Sequence, residues 1–292
     1  MNNSCQKYFF TCLLGIAALL GGASPAFAAS SAPSLGTASD FAVLSAAPGG
    51  GGAVTCTRST ITGDVGSSGL PASVVQTLCT INGAVIAPVS AGVLTAFNGA
   101  YNALAGQSCD QFLTGTLADI TLTPGVYCFA AAATLTGTLT LNGGSNDTWL
   151  FKVGTSGTGA LTGTNFSMVL NDSASACNVT WWVAQAATMT DSDFKGTILA
   201  GAAITATGTA GSPPTPFEGR ALAKAAVTLT DVAFVGCEGG SLGGTAHPKC
   251  NQGVGNGPEG CDPGNSNQGD PNRSNDELGG VPGAPGRQGG NK

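Results

Sequence analysis

Charge is what this chain has least of. Lys, Arg, Asp and Glu together make up 9% of its 292 residues, against about 25% in an ordinary globular domain. The 10 basic residues are scattered without a run, and the formal net charge is -6. That leaves no electrostatic footprint for a phosphate backbone and excludes nucleic acid as the main partner. Histidine is almost absent: His247 is the single one, next to Pro248 in a Gly-rich stretch. Ser–His–Asp and Cys–His catalysis are thereby excluded. No C-x-x-C spacing occurs and no histidine lies in the body of the chain, so neither a metal site nor a cofactor is expected. No apolar run reaches the ~20 residues of a membrane-spanning helix.

What is present makes up for the missing charge. Hydrophobic residues reach 42%, enough for a core and too many for a disordered chain of low net charge. Hydroxyls and small residues must carry the surface, with 46 Gly and threonine at about a tenth of the chain.

The first residues read as an address. Lys7 precedes an apolar run over residues 8–20, followed by Gly21, Gly22 and the small-x-small pattern at Ala26–Phe27–Ala28. This is the layout of a secretory signal, with cleavage expected after Ala28 and the mature protein extracellular. Cys5 and Cys12 would leave with it. Eight cysteines then remain, an even number in an oxidising compartment, and disulfides are expected. Sequence proximity favours Cys56 with Cys79, Cys109 with Cys128 and Cys250 with Cys261, and leaves Cys177 and Cys237 as the couple most readily unpaired.

From Thr121 onward the chain falls into short segments with period-two alternation: TLTPGVY at Thr121, TLTGTLTLNG at Thr134, ALTGTNFSMVL at Ala160, ATMT at Ala187, ITATGT at Ile204 and VTLTDVAF at Val227. Alternation at this period marks a strand with one face buried and one exposed. Over residues 134–141 the threonines at 134, 136, 138 and 140 share the outer face, and Leu135, Leu139 and Leu141 share the inner one with Gly137. The segments recur at intervals of roughly 20 to 27 residues, which suits one coil per repeat in a β-solenoid. A β-sandwich would also give short strands between turns. Small inward residues and repeated outward Thr-x-Thr favour the solenoid, with room for roughly six to eight coils between Leu35 and Cys237.

Residues 91–105 break the alternation. Val93, Leu94, Phe97, Tyr101 and Leu104 recur at helical spacing between Pro88 and Gly106, which predicts one amphipathic helix lying along the solenoid. The expected organisation is therefore a signal over 1–28, a solenoid domain over 29–237 and a tail over 238–292. The tail is rich in Gly, Pro, Asn and Asp and too poor in aliphatic residues to fold by itself. Within it Asp262, Asn265, Asp270, Asp276 and Glu277 offer oxygens to calcium. Their spacing misses the calcium-loop pattern, and a solvated linker is the better reading.

The order of the segments resembles a known family. LGTASDFAVL from Leu35, TGDV from Thr62, INGAVIAP from Ile81, AYNALAG from Ala100, LTPGVY from Leu122, LTGTLTL from Leu135, WLFKVG from Trp149, ACNVTWWV from Ala176, FKGTILA from Phe194 and GRALA from Gly219 together look like the secreted microbial ice-binding (antifreeze) proteins. The resemblance spans residues 35–237 and implies a mainly β fold: a right-handed, discontinuous β-solenoid (β-helix) with one long α-helix packed alongside. It implies no catalysis, and an ice crystal surface as partner. It also implies a flat ice-binding face whose outward residues often follow T-A/G-x-T/N. Thr162–Gly163–Thr164–Asn165 fits that motif, and TMTD at Thr188, TATG at Thr205 and TLTD at Thr228 depart from it. The site residues it points to are Thr162, Thr164, Asn165, Thr188, Thr190, Thr205, Thr207, Thr228 and Thr230. Asp191, Asp193 and Asp231 would then put carboxylates on or beside that face. Strongly hydrated groups there are expected to weaken ice activity, and their replacement by Thr or Asn to raise it.

Two other functions compete. An adhesive or structural exoprotein could use the same solenoid in an envelope or biofilm, with the tail contacting the cell surface or matrix. A β-helical polysaccharide lyase or hydrolase would need paired carboxylates, and only Asp191 and Asp193 offer a pair. A flat, uncharged Thr grid would favour ice, and an interrupted one adhesion.

Overall fold

The computed structural model describes residues 33–237. The segments expected to be a signal and a tail, with Cys250, Cys261, His247 and the five residues considered for calcium, lie outside the described residues. The alternating segments form short parallel strands stacked as the coils of a β-solenoid. Along one side the strands follow the spatial order Val74–Thr77, Val54–Thr57, Val227–Thr230, Ile204–Thr207, Ala187–Thr190, Leu161–Asn171, Ala133–Asn142 and Ile120–Leu122.

That order is not chain order. Val54–Thr57 pairs with Val227–Thr230, Thr60–Thr62 with Val232–Gly236, and Phe41–Ser45 with Thr215–Ala223. The N-terminal coils therefore continue the stack beyond the C-terminal ones, and the chain restarts at the far end with Gln111–Leu113, paired to Gly125–Phe129.

The helix Ala91–Ala105 carries the chain back. At 1.5 Å per residue its 15 residues span about 22 Å. It starts because the Ser90 side chain accepts from Val93 N–H at the N-cap, satisfying an otherwise unpaired donor. At its other end the buried Lys152 ammonium donates to the carbonyls of Ala105 and Gln107. Burial lowers the pKa of that amine, and the carbonyls are where a cation completes the helix terminus.

The three sides of the coil differ in composition because they differ in what covers them. The side beneath the helix is buried on both faces. Phe41–Ser45, Gly125–Phe129, Trp149–Val153 and Val179–Val183 are buried throughout, as expected for parallel strands covered above and below. Leu44, Leu150, Trp182, Leu199 and Leu222 face Val93, Phe97, Tyr101 and Leu104, and the Tyr101 hydroxyl donates to the Val183 carbonyl at 3.1 Å. A second side is open and mixed, carrying Lys195 beside Glu218 in register. The third shows strict alternation, buried then partly exposed, in Val54–Thr57, Ile204–Thr207 and Val227–Thr230.

Inside the coils an aromatic ladder runs along the axis. Tyr127, Phe151, Trp181, Phe194, Phe217 and Phe234 follow one another with ring centroids 5.5, 4.0, 5.6, 4.9 and 4.5 Å apart. Gly137 does not share their space. It is exposed at φ 66° and forms a corner, because only a residue without Cβ enters that region without strain. The stretch 134–141 is accordingly bent: Thr134 lies on the alternating side, while Thr138 and Thr140 pair with Ser167 and Val169 beyond the corner.

Disulfides join Cys56 to Cys79, Cys109 to Cys128 and Cys177 to Cys237. The last couple, the one most readily left open by sequence proximity, is thus bonded. It closes the longest loop, with a sequence separation of 60. Chain-entropy arithmetic assigns such a loop roughly 4 kcal/mol of constraint on the unfolded chain. Replacing both cysteines by Ser is expected to lower stability by about 2–4 kcal/mol in denaturant titration.

Candidate functional site

The alternating side brings the sequence-derived threonines into two straight columns. In the first, Thr55, Thr228, Thr205, Thr188, Thr162, Thr134 and Thr116 are successive register partners across the sheet, with Val75 completing the row at one end. In the second, Thr77, Thr57, Thr230, Thr207, Thr190 and Thr164 are partners in the same way. None of these threonines is buried. The inward residues between them, Cys56, Leu229, Ala206, Met189 and Leu135, are, so the alternation is fixed by the core.

Neighbouring strands lie about 4.8 Å apart, and outward residues two apart on one strand about 6.7 Å apart. The result is a near-rectangular lattice of hydroxyl and methyl groups. Neither column contains a charged residue.

Sequence reasoning placed eight of these threonines and left out Thr55, Thr57, Thr77, Thr116 and Thr134. A signal existed in the T-x-T of Thr55–Cys56–Thr57. The docking of that segment after Val227–Thr230, which extends the columns, is a long-range pairing that local pattern does not contain.

Asn165 and the aspartates stand elsewhere than in the columns. Five strands on this side turn at a corner occupied by a residue with positive φ: Asn165 (47°), Asp191 (47°), Asp231 (55°), Arg58 (46°) and Leu78 (52°). Asn and Asp tolerate this left-handed conformation best among residues with a side chain. Their place in the sequence is thus explained by backbone geometry. The carboxylates are also occupied. Asp231 accepts two hydrogen bonds from Arg58, at 2.8 and 2.6 Å; Asp191 accepts from the Thr209 hydroxyl at 2.8 Å; Asp193 pairs with Lys195 at 2.6 Å.

These placements correct one expectation. The carboxylates flank the threonine face at its corner and do not interrupt it. Asp231→Thr would lose the ion pair and put a β-branched residue at positive φ, so it is expected to lower the melting temperature and leave any surface activity no higher. The Asp191/Asp193 pair, considered for polysaccharide chemistry, borders a shallow open groove with Asn165, Ser167, Pro213, Pro214 and Pro216. Both of its carboxylates are committed to neighbours.

Hydrogen bonding to the Arg58 guanidinium holds the Asp231 carboxyl below the ordinary carboxylate range. A depressed folded-state pKa contributes stability above the unfolded value, and that contribution disappears as pH falls through the folded value. Thermal melts below about pH 4 are therefore expected to show a drop in stability that is smaller in Asp231→Asn. Because this pair ties an N-terminal corner to a C-terminal one, the drop should appear first as exchange of amides in residues 54–62.

A sequence profile described as ice-binding-like matches residues 48–234, and an ice-binding protein from Flavobacterium frigoris (strain PS1) is 33% identical over 214 residues, covering 67% of this chain and 73% of that one. This chain belongs to the ice-binding-like family. An ice-binding protein from Nostoc sp. (strain HG1) is 37% identical over 190 residues, covering 61% of this chain and 66% of the relative. The crystal structure of an ice-binding protein from an Antarctic biological consortium superimposes with a TM-score of 0.60 at 29% identity, over 71% of this chain and 91% of that one. The family's β-solenoid with its lateral helix is the fold described above, and among the described residues no helix is long and apolar enough to cross a membrane.

Proposed function

We propose that this protein is secreted and binds ice by adsorption, through the two threonine columns and without catalysis. The observation that carries this reading is their continuity: register partners from Thr116 to Thr55 and from Thr164 to Thr77, with the Asp191 and Asp231 carboxylates turned into corner contacts. The relatives with this sequence pattern carry the name ice-binding protein. The three disulfides support export, as does the signal-like start.

The chemistry follows from the side chain. Each threonine offers a hydroxyl that joins a water lattice as donor and acceptor, and a methyl around which water orders. Its χ1 is stiff, so little rotamer freedom is lost when water freezes against it. A rectangular array repeats these groups at the spacing of the sheet, which approximates the oxygen spacing on ice planes. An adhesive role gains no comparable support, because a surface made of one residue type without charge offers little to distinguish one polymer from another.

The test is to cool the mature protein with a seed crystal and record thermal hysteresis, recrystallisation inhibition and crystal shape. Slowed growth with faceted crystals is expected. If crystals keep their disc shape and recrystallise at the control rate, the adhesive function replaces this one.

A further inference from the structure

The end of the solenoid formed by residues 69–87 is unlike the rest of the surface. Among the described residues its strands Val74–Thr77, Thr80–Asn82 and Val85–Ile86 each have one hydrogen-bonded neighbour, so all three present an open edge. Of the eight large hydrophobic residues exposed among the described residues, five lie here: Leu70 (74%), Val75, Leu78 (82%), Val85 and Ile86. Soluble proteins guard such edges with charge, proline or a covering segment. Here no charged residue occurs between Asp64 and Asp110.

Leu78 adds an independent sign. It occupies the corner position that holds Arg58, Asp231, Asp191 or Asn165 in other coils, and at φ 52° leucine is a poor choice there. A strained, exposed leucine where polar residues fit better points to a contact.

We propose that two copies of this chain join end to end through this terminal coil, Val74–Thr77 pairing antiparallel with its counterpart across a two-fold axis normal to the threonine face. Three observations select a second copy as occupant. The open edges need strand edges as partners, and a second copy supplies identical ones in a self-complementary, isologous contact. The opposite end of the solenoid is a poor mate, because Asp110 and Asp119 are exposed there and head-to-tail stacking would bury their charges. The tail after Cys237 is a poorer one still, since its few aliphatic residues, such as Leu242, Val254, Leu278 and Val281, stand singly among Gly and Asn.

The coil is also ready for docking. The Cys56–Cys79 disulfide fastens it to the stack, and its roughly 20 residues match the number that a standard interface takes from each partner. An axis normal to the threonine face leaves both faces pointing the same way. The columns ending at Val75 and Thr77 then meet their counterparts, and one flat surface of double length results. This consequence, unlike the pairing itself, rests on the ice-binding reading.

Sedimentation velocity on the full mature chain, at tens of micromolar, is expected to give twice the protomer mass. Leu78→Asp suits positive φ and should keep or raise the melting temperature while giving a single protomer mass; Val85→Lys should do the same through a different edge. A wild-type monomer overturns the proposal, and so does a dimer that both variants leave intact. Amide exchange over residues 74–86 that is slow in a wild-type monomer would assign the end to the tail instead. With a dimer that Leu78→Asp dissociates, thermal hysteresis should fall severalfold at equal protomer concentration; unchanged hysteresis would overturn the coplanar join and leave the dimer standing. Absent hysteresis in the wild-type dimer counts against the ice reading alone.

Discussion

Tyrosine in place of Thr190 is expected to remove most of the thermal hysteresis. Thr190 lies inside the second column, between Thr207 and Thr164, and a ring standing above a flat face holds the crystal away from its neighbours. Folding should be kept, because substitutions on an exposed strand face change stability by less than about 0.5 kcal/mol. Thr55→Tyr should do the same. That variant is the sharper test, since Thr55 belongs to the face only through the pairing of Val54–Thr57 with Val227–Thr230. Glu218→Tyr, on the mixed side beside Lys195, should leave activity near the wild type. If Glu218→Tyr abolishes hysteresis and Thr190→Tyr does not, the function stands and its surface moves to the other side.

Trp181→Ala should cost about 3–5 kcal/mol of stability. Trp181 is fully buried, stacks on Phe151 at 4.0 Å and meets Phe194 at 5.6 Å. The cavity left by its loss lies in the middle of the aromatic ladder, between Phe151 and Phe194. Denaturant titration reads the loss directly, and a change under about 1 kcal/mol would show that the ladder is not the principal core. Because each coil packs only on its neighbours, the variant should weaken the threonine face indirectly, with activity lost at a lower temperature of pre-incubation than in the wild type.

The sequence by itself determined what is local. Period-two alternation is readable because a strand side chain points up or down by its position alone, and so the Thr-x-Thr segments, the inward leucines and the helical spacing of Val93, Phe97, Tyr101 and Leu104 were all legible. Cysteines close in sequence paired with one another, as Cys56–Cys79 and Cys109–Cys128 show, because loop closure favours short separations.

Tertiary structure decided whatever depended on which strand lies next to which. It placed residues 41–86 beyond the C-terminal coils, so that Thr55, Thr57 and Thr77 lengthened the columns, and it brought Cys177 to Cys237 across the C-terminal coils. It put Gly137, Asn165, Asp191 and Asp231 at corners, where positive φ and not surface chemistry selects them. Strand edges are alike in backbone chemistry and can pair in any order; packing of the helix and the core chooses among the orders, and no single segment carries that choice.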